Sequence, residues 1–171
     1  MNGDFNVGAG VKAARRLLMT FVDVSNTEQP EWELVGSGVE ESALELNPNT
    51  ETVTDILGVT TTSVTKWEPN QGLDPNTVKG GSKLNFKLHK IWQDKTPELL
   101  SKFNVMIVYA YLGSEKAFEA EMQKNCTINI TSIGGSAYVD MPIEIMYSND
   151  SVKGTVSIDD GVPTFTPAAA E

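Results

Sequence analysis

The chain has 171 residues and a mass of 18.6 kDa, the size of one ordinary domain and enough to enclose a hydrophobic core. Its 40% apolar and 21% charged residues exclude disordered, collagen-like and coiled-coil classes, and its single cysteine excludes a disulfide scaffold. The balance of 13 basic against 23 acidic residues, −10 overall, speaks against tight nucleic-acid binding, which needs cations to offset phosphates, but leaves open a surface that DNA passes without sticking.

No apolar run approaches the ~20 residues of a membrane helix. Residues 17–24 are broken by Thr20 and Asp23 and do not read as a secretion signal. A free thiol fits a reducing cytoplasm.

Along the chain the dominant period is two. Residues 17–24 predict a strand, with Leu18, Val22 and Val24 on one side and Leu17, Met19 and Phe21 on the other. Residues 32–35 and 39–46 predict two more. Asn47-Pro48-Asn49-Thr50 is a turn, because proline fixes φ and the asparagines accept tight geometry. Residues 51–57 and 59–67 predict a strand pair around Gly58, β-branched yet polar through its many threonines. Residues 68–82 hold two prolines and three glycines and predict a loop unusually long for a compact domain. Such a segment is either a free excursion or a loop that orders against a neighbouring copy.

Leu84, Phe86 and Leu88 alternate with polar neighbours and predict a half-buried strand. Thr96-Pro97-Glu98 predicts a helix start, with a capping hydroxyl, proline at the first helical position and an acid in the first turn. Residues 105–112 are apolar at both parities, so this strand should be covered on both faces. Phe118 and Met122, four apart among Glu and Lys, predict a second helix within 114–125. Strands follow at 125–133, 141–146 and 152–158. The expected organisation is a flexible arm over 1–16, a single mainly β domain over 17–160, and a loose tail over 161–171. That domain is a β-sandwich or small barrel with one flanking α-helix.

Reactive chemistry is sparse. His89 is the only histidine and falls on a polar face without an evident nucleophile or orienting partner. Cys126 falls at an apolar parity and reads as an inert buried thiol. Neither can anchor a metal site at a recognised spacing, so no catalytic, metal or cofactor residue is expected. Gly8-Ala9-Gly10-Val11-Lys12-Ala13 has the outline of a dinucleotide fingerprint but no strand before it. The three Asn-X-Ser/Thr triplets have no accompanying secretion signal.

The run Trp32-Glu33-Leu34-Val35-Gly36-Ser37-Gly38-Val39, followed by Glu41-Ser42-Ala43-Leu44-Glu45-Leu46-Asn47-Pro48-Asn49-Thr50-Glu51-Thr52, resembles the early part of the major tail (tail tube) proteins of long-tailed bacteriophages. The order of elements over 84–112, with its Thr-Pro-Glu-Leu-Leu turn, is similar to that family too. Segment 114–125 has no place in the family pattern. The resemblance implies a sandwich flanked by a helix, copies joined six to a ring, and rings stacked into the tube through which the genome is ejected into the host. Related tubes occur in contractile tails and secretion machines.

On that resemblance the protein is a structural virion component, not an enzyme, residing in the virion tail after assembly in the host cytoplasm. Its partners would be its own copies and other tail proteins, such as the tape measure and tail terminator, with no membrane and no cofactor. Inter-subunit contacts would fall to Asn70, Gln71, Leu73, Asp74, Asn76, Val78 and Lys79 in the long loop, and to Lys12, Arg15 and Arg16 in the basic arm. The strand pair 51–66 would line the bore, and deleting residues 70–80 would leave a folded monomer unable to polymerise. Six copies at −10 make a ring of −60, which would repel a passing duplex. Glu41, Glu45, Glu51 and Asp55 are the candidate lumen acids, with an outward orientation equally open. A different class, a carbohydrate-binding or adhesin sandwich, would need clustered exposed aromatics, whereas Trp32, Trp67 and Trp92 lie in three separate segments.

Overall fold

Alternating apolar and polar residues carry most of this chain into strands. The structure, a computed structural model, describes residues 5–169. Strand accounts for 48% and helix for 12%, so the mainly β expectation holds as a curled half-barrel sheet with one helix. In chain order the elements are β1 (Leu18–Asp23), β2 (Trp32–Leu34), β3 (Leu44–Glu45), β4 (Pro48–Thr54), β5 (Thr60–Trp67), β6 (Asn70–Leu73), α1 (Lys83–Asp94), β7 (Phe103–Ser114), β8 (Ala117–Ile130), β9 (Ile143–Met146), β10 (Ser151–Asp159) and β11 (Val162–Pro167).

The sheet is organised around β8. One edge pairs with β7 along most of its length. Its other edge is divided, with residues 118–123 pairing with β10 and residues 127–130 with β9. Between these halves Asn125 takes a left-handed φ of 54°, and the β7 register shifts between Phe103 and Val105. The sheet thereby splits into two limbs. One runs β2-β1-β7-β8 and on through β10 to β11; the other runs β8-β9-β6-β3.

Between the limbs lies the main core. Val22, Val105, Ile107, Cys126, Ile128, Ile143, Ile145 and Leu73 are buried there, and α1 closes it with Leu84, Leu88 and Ile91. A second cluster, Phe21, Met106, Val108, Ala120 and Val156, occupies the reverse face of the first limb under Trp32, Phe118, Ile158 and Phe165. Successive residues of a strand point to opposite faces, so β7 supplies Val105 and Ile107 to one cluster and Met106 and Val108 to the other. The expected two-sided burial of this strand is therefore present.

Several local expectations are corrected, among them the turn at 47–50, where β4 already begins at Pro48, and the strand at 39–46, of which Leu44–Glu45 alone is strand. Residues 83–94 form a helix, because Leu84, Leu88 and Ile91 recur at helical spacing while Phe86 stays exposed. Ser82 caps it, accepting from the Asn85 amide at 3.2 Å, and Glu33 adds a carboxylate that accepts from the Ser82 hydroxyl and from the Leu84 amide at 3.0 Å. The turn after Thr96 is only a 3-10 segment, Pro97–Ser101. Residues 114–125 form no helix; Phe118 and Met122 are four apart because that spacing equals two strand repeats, and both belong to β8. The expected loose tail supplies β11, which pairs with β10 from Gly154–Pro167 to Asp159–Val162.

Candidate functional site

β4 and β5 form a separate two-stranded sheet that no other strand among the described residues joins. Every residue of the pair except Asn49 is exposed. On one face threonines pair across the strands, Thr52 with Thr62 and Thr54 with Thr60, each at 3.0 Å between hydroxyls. Such pairs contribute roughly 0.2–1 kcal/mol each. The opposite face carries Glu51 and Val53 opposite Ser63 and Thr61.

The tip is ordered by its own turn. The Asp55 carboxylate accepts from the amides of Leu57 and Val59 at 2.8 and 2.9 Å, and Gly58 supplies the left-handed φ of 80° that completes the turn. This arrangement leaves Ile56 wholly exposed and Leu57 82% exposed. At the base, the Glu68 amide donates to the Leu46 carbonyl, and Asn47 and Asn149 donate side-chain amides to the carbonyls of Glu68 and Trp67. Lys66 pairs with Glu68 at 2.5 Å, and this hydrogen bond holds the Glu68 carboxyl below its usual range. The pair is fixed at its root, with both outer edges and an apolar tip presented to solvent.

The candidate lumen acids are spread apart. Glu51 is mid-hairpin and Asp55 forms the tip turn, whereas Glu45 lies in the edge strand β3 and Glu41 in the segment before it. All four are exposed.

The long-loop contacts are corrected in part. Gln71 and Leu73, 3% and 1% exposed, are interior residues of β6, flanked by β9 and β3. Gln71 is a polar hub. Its side-chain oxygen accepts from Thr20 at 3.0 Å and Tyr147 at 2.8 Å, and its amide donates to Ser42 at 3.1 Å. Asn70 donates to Glu144, and Asn76 donates to the Met141 carbonyl at 2.8 Å. Asp74 and Val78 remain exposed, and Lys79 donates to Ser37. The loop is thus ordered largely by its own chain.

In the basic arm, residues 1–4 lie outside the described residues. Arg15 folds back, donating to the carbonyls of Ser42 and Leu18, while Lys12 and Arg16 are exposed.

His89 is exposed on α1, and Cys126 is fully buried, where burial pushes its thiol pKa up. Among the described residues no cluster of three or more His, Cys, Asp or Glu is arranged to hold a metal, and no helix is long and apolar enough to cross a membrane. The tryptophans fall on β2, β5 and α1. Lysines also gather on α1 and the turn that follows it. Residues 83–102 carry five lysines against two acids, so this segment is +3 on a chain of −10.

No family model matches the sequence, and no curated protein does. Solved structures do. A chain of the sheath/tube terminator of an extracellular contractile injection system, in its extended state, matches with a TM-score of 0.53 and 13% identity over 85% of this chain and 99% of that one. A chain of the sheath-tube complex of such a system matches at 0.47, with 15% identity over 80% and 88% of the two chains. One from the tube-terminating cap of the anti-feeding prophage matches at 0.48, with 15% identity over 95% and 96%. At this identity the first match shows a shared fold; the other two fall below 0.5, and no conclusion rests on them.

Proposed function

We propose that this chain is a structural subunit of a phage-tail-like tube, assembling with copies of itself into rings that stack around a central bore. The observation that carries the reading is the β4–β5 hairpin. An isolated two-stranded ribbon is marginal in water, and a long exposed edge is an invitation to pair with another chain. Soluble proteins blunt such edges with proline, inward charges or cover. Here Pro48 stands at the start of β4, and the fifteen strand residues hold just Glu51 and Lys66 as charges. Pairing between neighbours would satisfy these edges and close a barrel, which abolishes edges altogether.

The shared fold with a chain of a sheath/tube terminator supports a tail-associated structural role. In this reading six copies form a ring, the threonine-rich hairpins line the bore, and the acidic balance keeps a passing duplex from adhering. Other tail components, such as tape measure and terminator proteins, complete the assembly within the virion tail.

Negative-stain imaging of concentrated protein tests this reading. Rings or tubes are the expected result, and a protein that remains monomeric at high concentration overturns it.

A further inference from the structure

The molecule carries two exposed features of opposite character. One is a groove of about 820 Å³ between α1, the turn after β1 and the Pro97–Ser101 turn. Phe86, 69% exposed, stands at its mouth, with Leu99 beside it and Phe103 beneath. Its rim is basic. Lys87 lies 5.3 Å from the Phe103 ring centroid, and its Nζ donates to the Ser25 carbonyl. Among the described residues neither Lys87 nor Lys102 has a carboxylate within ion-pair distance. Lys83 and Lys90 pair only with the exposed Glu31 and Asp94, contacts of small worth that a new partner can exchange.

The other feature is the hairpin tip, where Ile56 and Leu57 project just beyond Asp55, with Glu51 farther down β4 and no cation nearer in sequence than Lys66. Outside residues 83–102 the chain holds 21 acids against 8 bases. The hairpin tip of a second copy therefore offers what the groove lacks: an apolar knob, Ile56 and Leu57, with the carboxylates of Asp55 and Glu51 behind it.

We propose that the groove receives the β4–β5 tip of a second copy, with Ile56 and Leu57 against Phe86 and Leu99, and with Glu51 and Asp55 facing Lys87, Lys90 and Lys102. The contact is heterologous, one surface of a copy meeting a different surface of the next, so it propagates along a stack or closes a ring. It rests on the self-assembly reading and adds the receptor for the hairpin. Charge complementarity sets the register, and the central aromatic supplies most of the binding.

The test is a chain carrying both Ile56→Cys and Phe86→Cys, two exposed positions, treated with diamide at concentrations where the wild type associates. The native Cys126 is 0% exposed and stays silent. Expected is a ladder of disulfide-linked oligomers on a non-reducing gel, with neither single variant going beyond dimers. In parallel, Phe86→Asp should raise the concentration needed for assembly by about tenfold or more, with an unchanged melting temperature. Rings or tubes that form normally in the double-cysteine chain without a ladder, or in Phe86→Asp at wild-type concentrations, overturn this docking and leave self-assembly standing. A wild type that never associates overturns both.

Discussion

The ring of Phe165 lies against Gly154 so closely that a β-carbon there would stand 2.7 Å from its Cζ and 2.3 Å from the Thr166 carbonyl oxygen. Absence of a side chain on β10 is what lets β11 close over the second core cluster, where Phe165 covers Val156. Gly154→Ala is expected to destabilise the protein by about 1–3 kcal/mol, the usual cost of forcing extra volume into a packed site. Limited proteolysis reads it directly: cleavage near Asp160–Gly161 should rise sharply, and unchanged protection would mean that β11 contributes nothing to the body.

Gln71 joins three parts of the molecule, since Thr20 is on β1, Tyr147 follows β9 and Ser42 precedes β3. Replacing it by Ala leaves the buried hydroxyls of Thr20 and Tyr147 unpartnered at roughly 1–3 kcal/mol each, while Ser42 keeps its bond to the Gly72 carbonyl, so Gln71→Ala should cost about 2–4 kcal/mol in denaturant unfolding. Deleting residues 70–80 removes β6 altogether and should abolish folding. This replaces the expectation of a folded, assembly-deficient monomer. A cooperative melt for that deletion would show that β6 is dispensable.

Hairpin removal separates folding from assembly. Substituting residues 50–64 by a short Gly-Ser linker deletes exposed strand residues and no core residue. The melting temperature is expected to stay within about 2 °C of wild type, because surface changes away from packed features alter stability little. Light scattering should show no association at concentrations where the intact chain assembles.

Alkaline pH should loosen the core. Burial raises the Cys126 thiol above its ordinary 9.0 and the Tyr147 phenol above its ordinary 10.0. Both groups stay protonated in the folded state while the unfolded chain releases their protons. Unfolding is then favoured as pH climbs past about 9, and the effect grows until the folded values are reached. Thermal melts between pH 7 and 10.5 should fall progressively above pH 9. Cys126→Ala should flatten the start of that decline, and an identical slope in the variant would remove the thiol from the explanation.

Strands whose burial follows a single repeat were legible from the residues alone. Val105 to Val108 are apolar in succession, and no arrangement satisfies that pattern except cover on both faces. The strand pair over 51–57 and 59–67 was legible for a related reason, although β4 begins at Pro48, inside the stretch expected as a turn. Its threonines favour extended backbone while offering no apolar face to a core, which leaves the pair unclaimed. The helix at 83–94 was hidden because Leu84, Phe86 and Leu88 satisfy a two-residue alternation as well as a helical turn. Ser82 before them and Ile91 after them, the signals that discriminate, lie at the margins of that short window.

Residues 114–125 were ambiguous in the same way, since a spacing of four fits both periods. What the amino-acid order determined was therefore a β domain poor in reactive groups, with a polar ribbon left without a core of its own. Tertiary structure alone decided that β8 would be shared between two limbs, that Gln71 would be a buried hub, and that β11 would close on Gly154. Each of these depends on partners distant in the chain, and the free energy that selects among competing local periods comes from burial against those partners, which no short window contains.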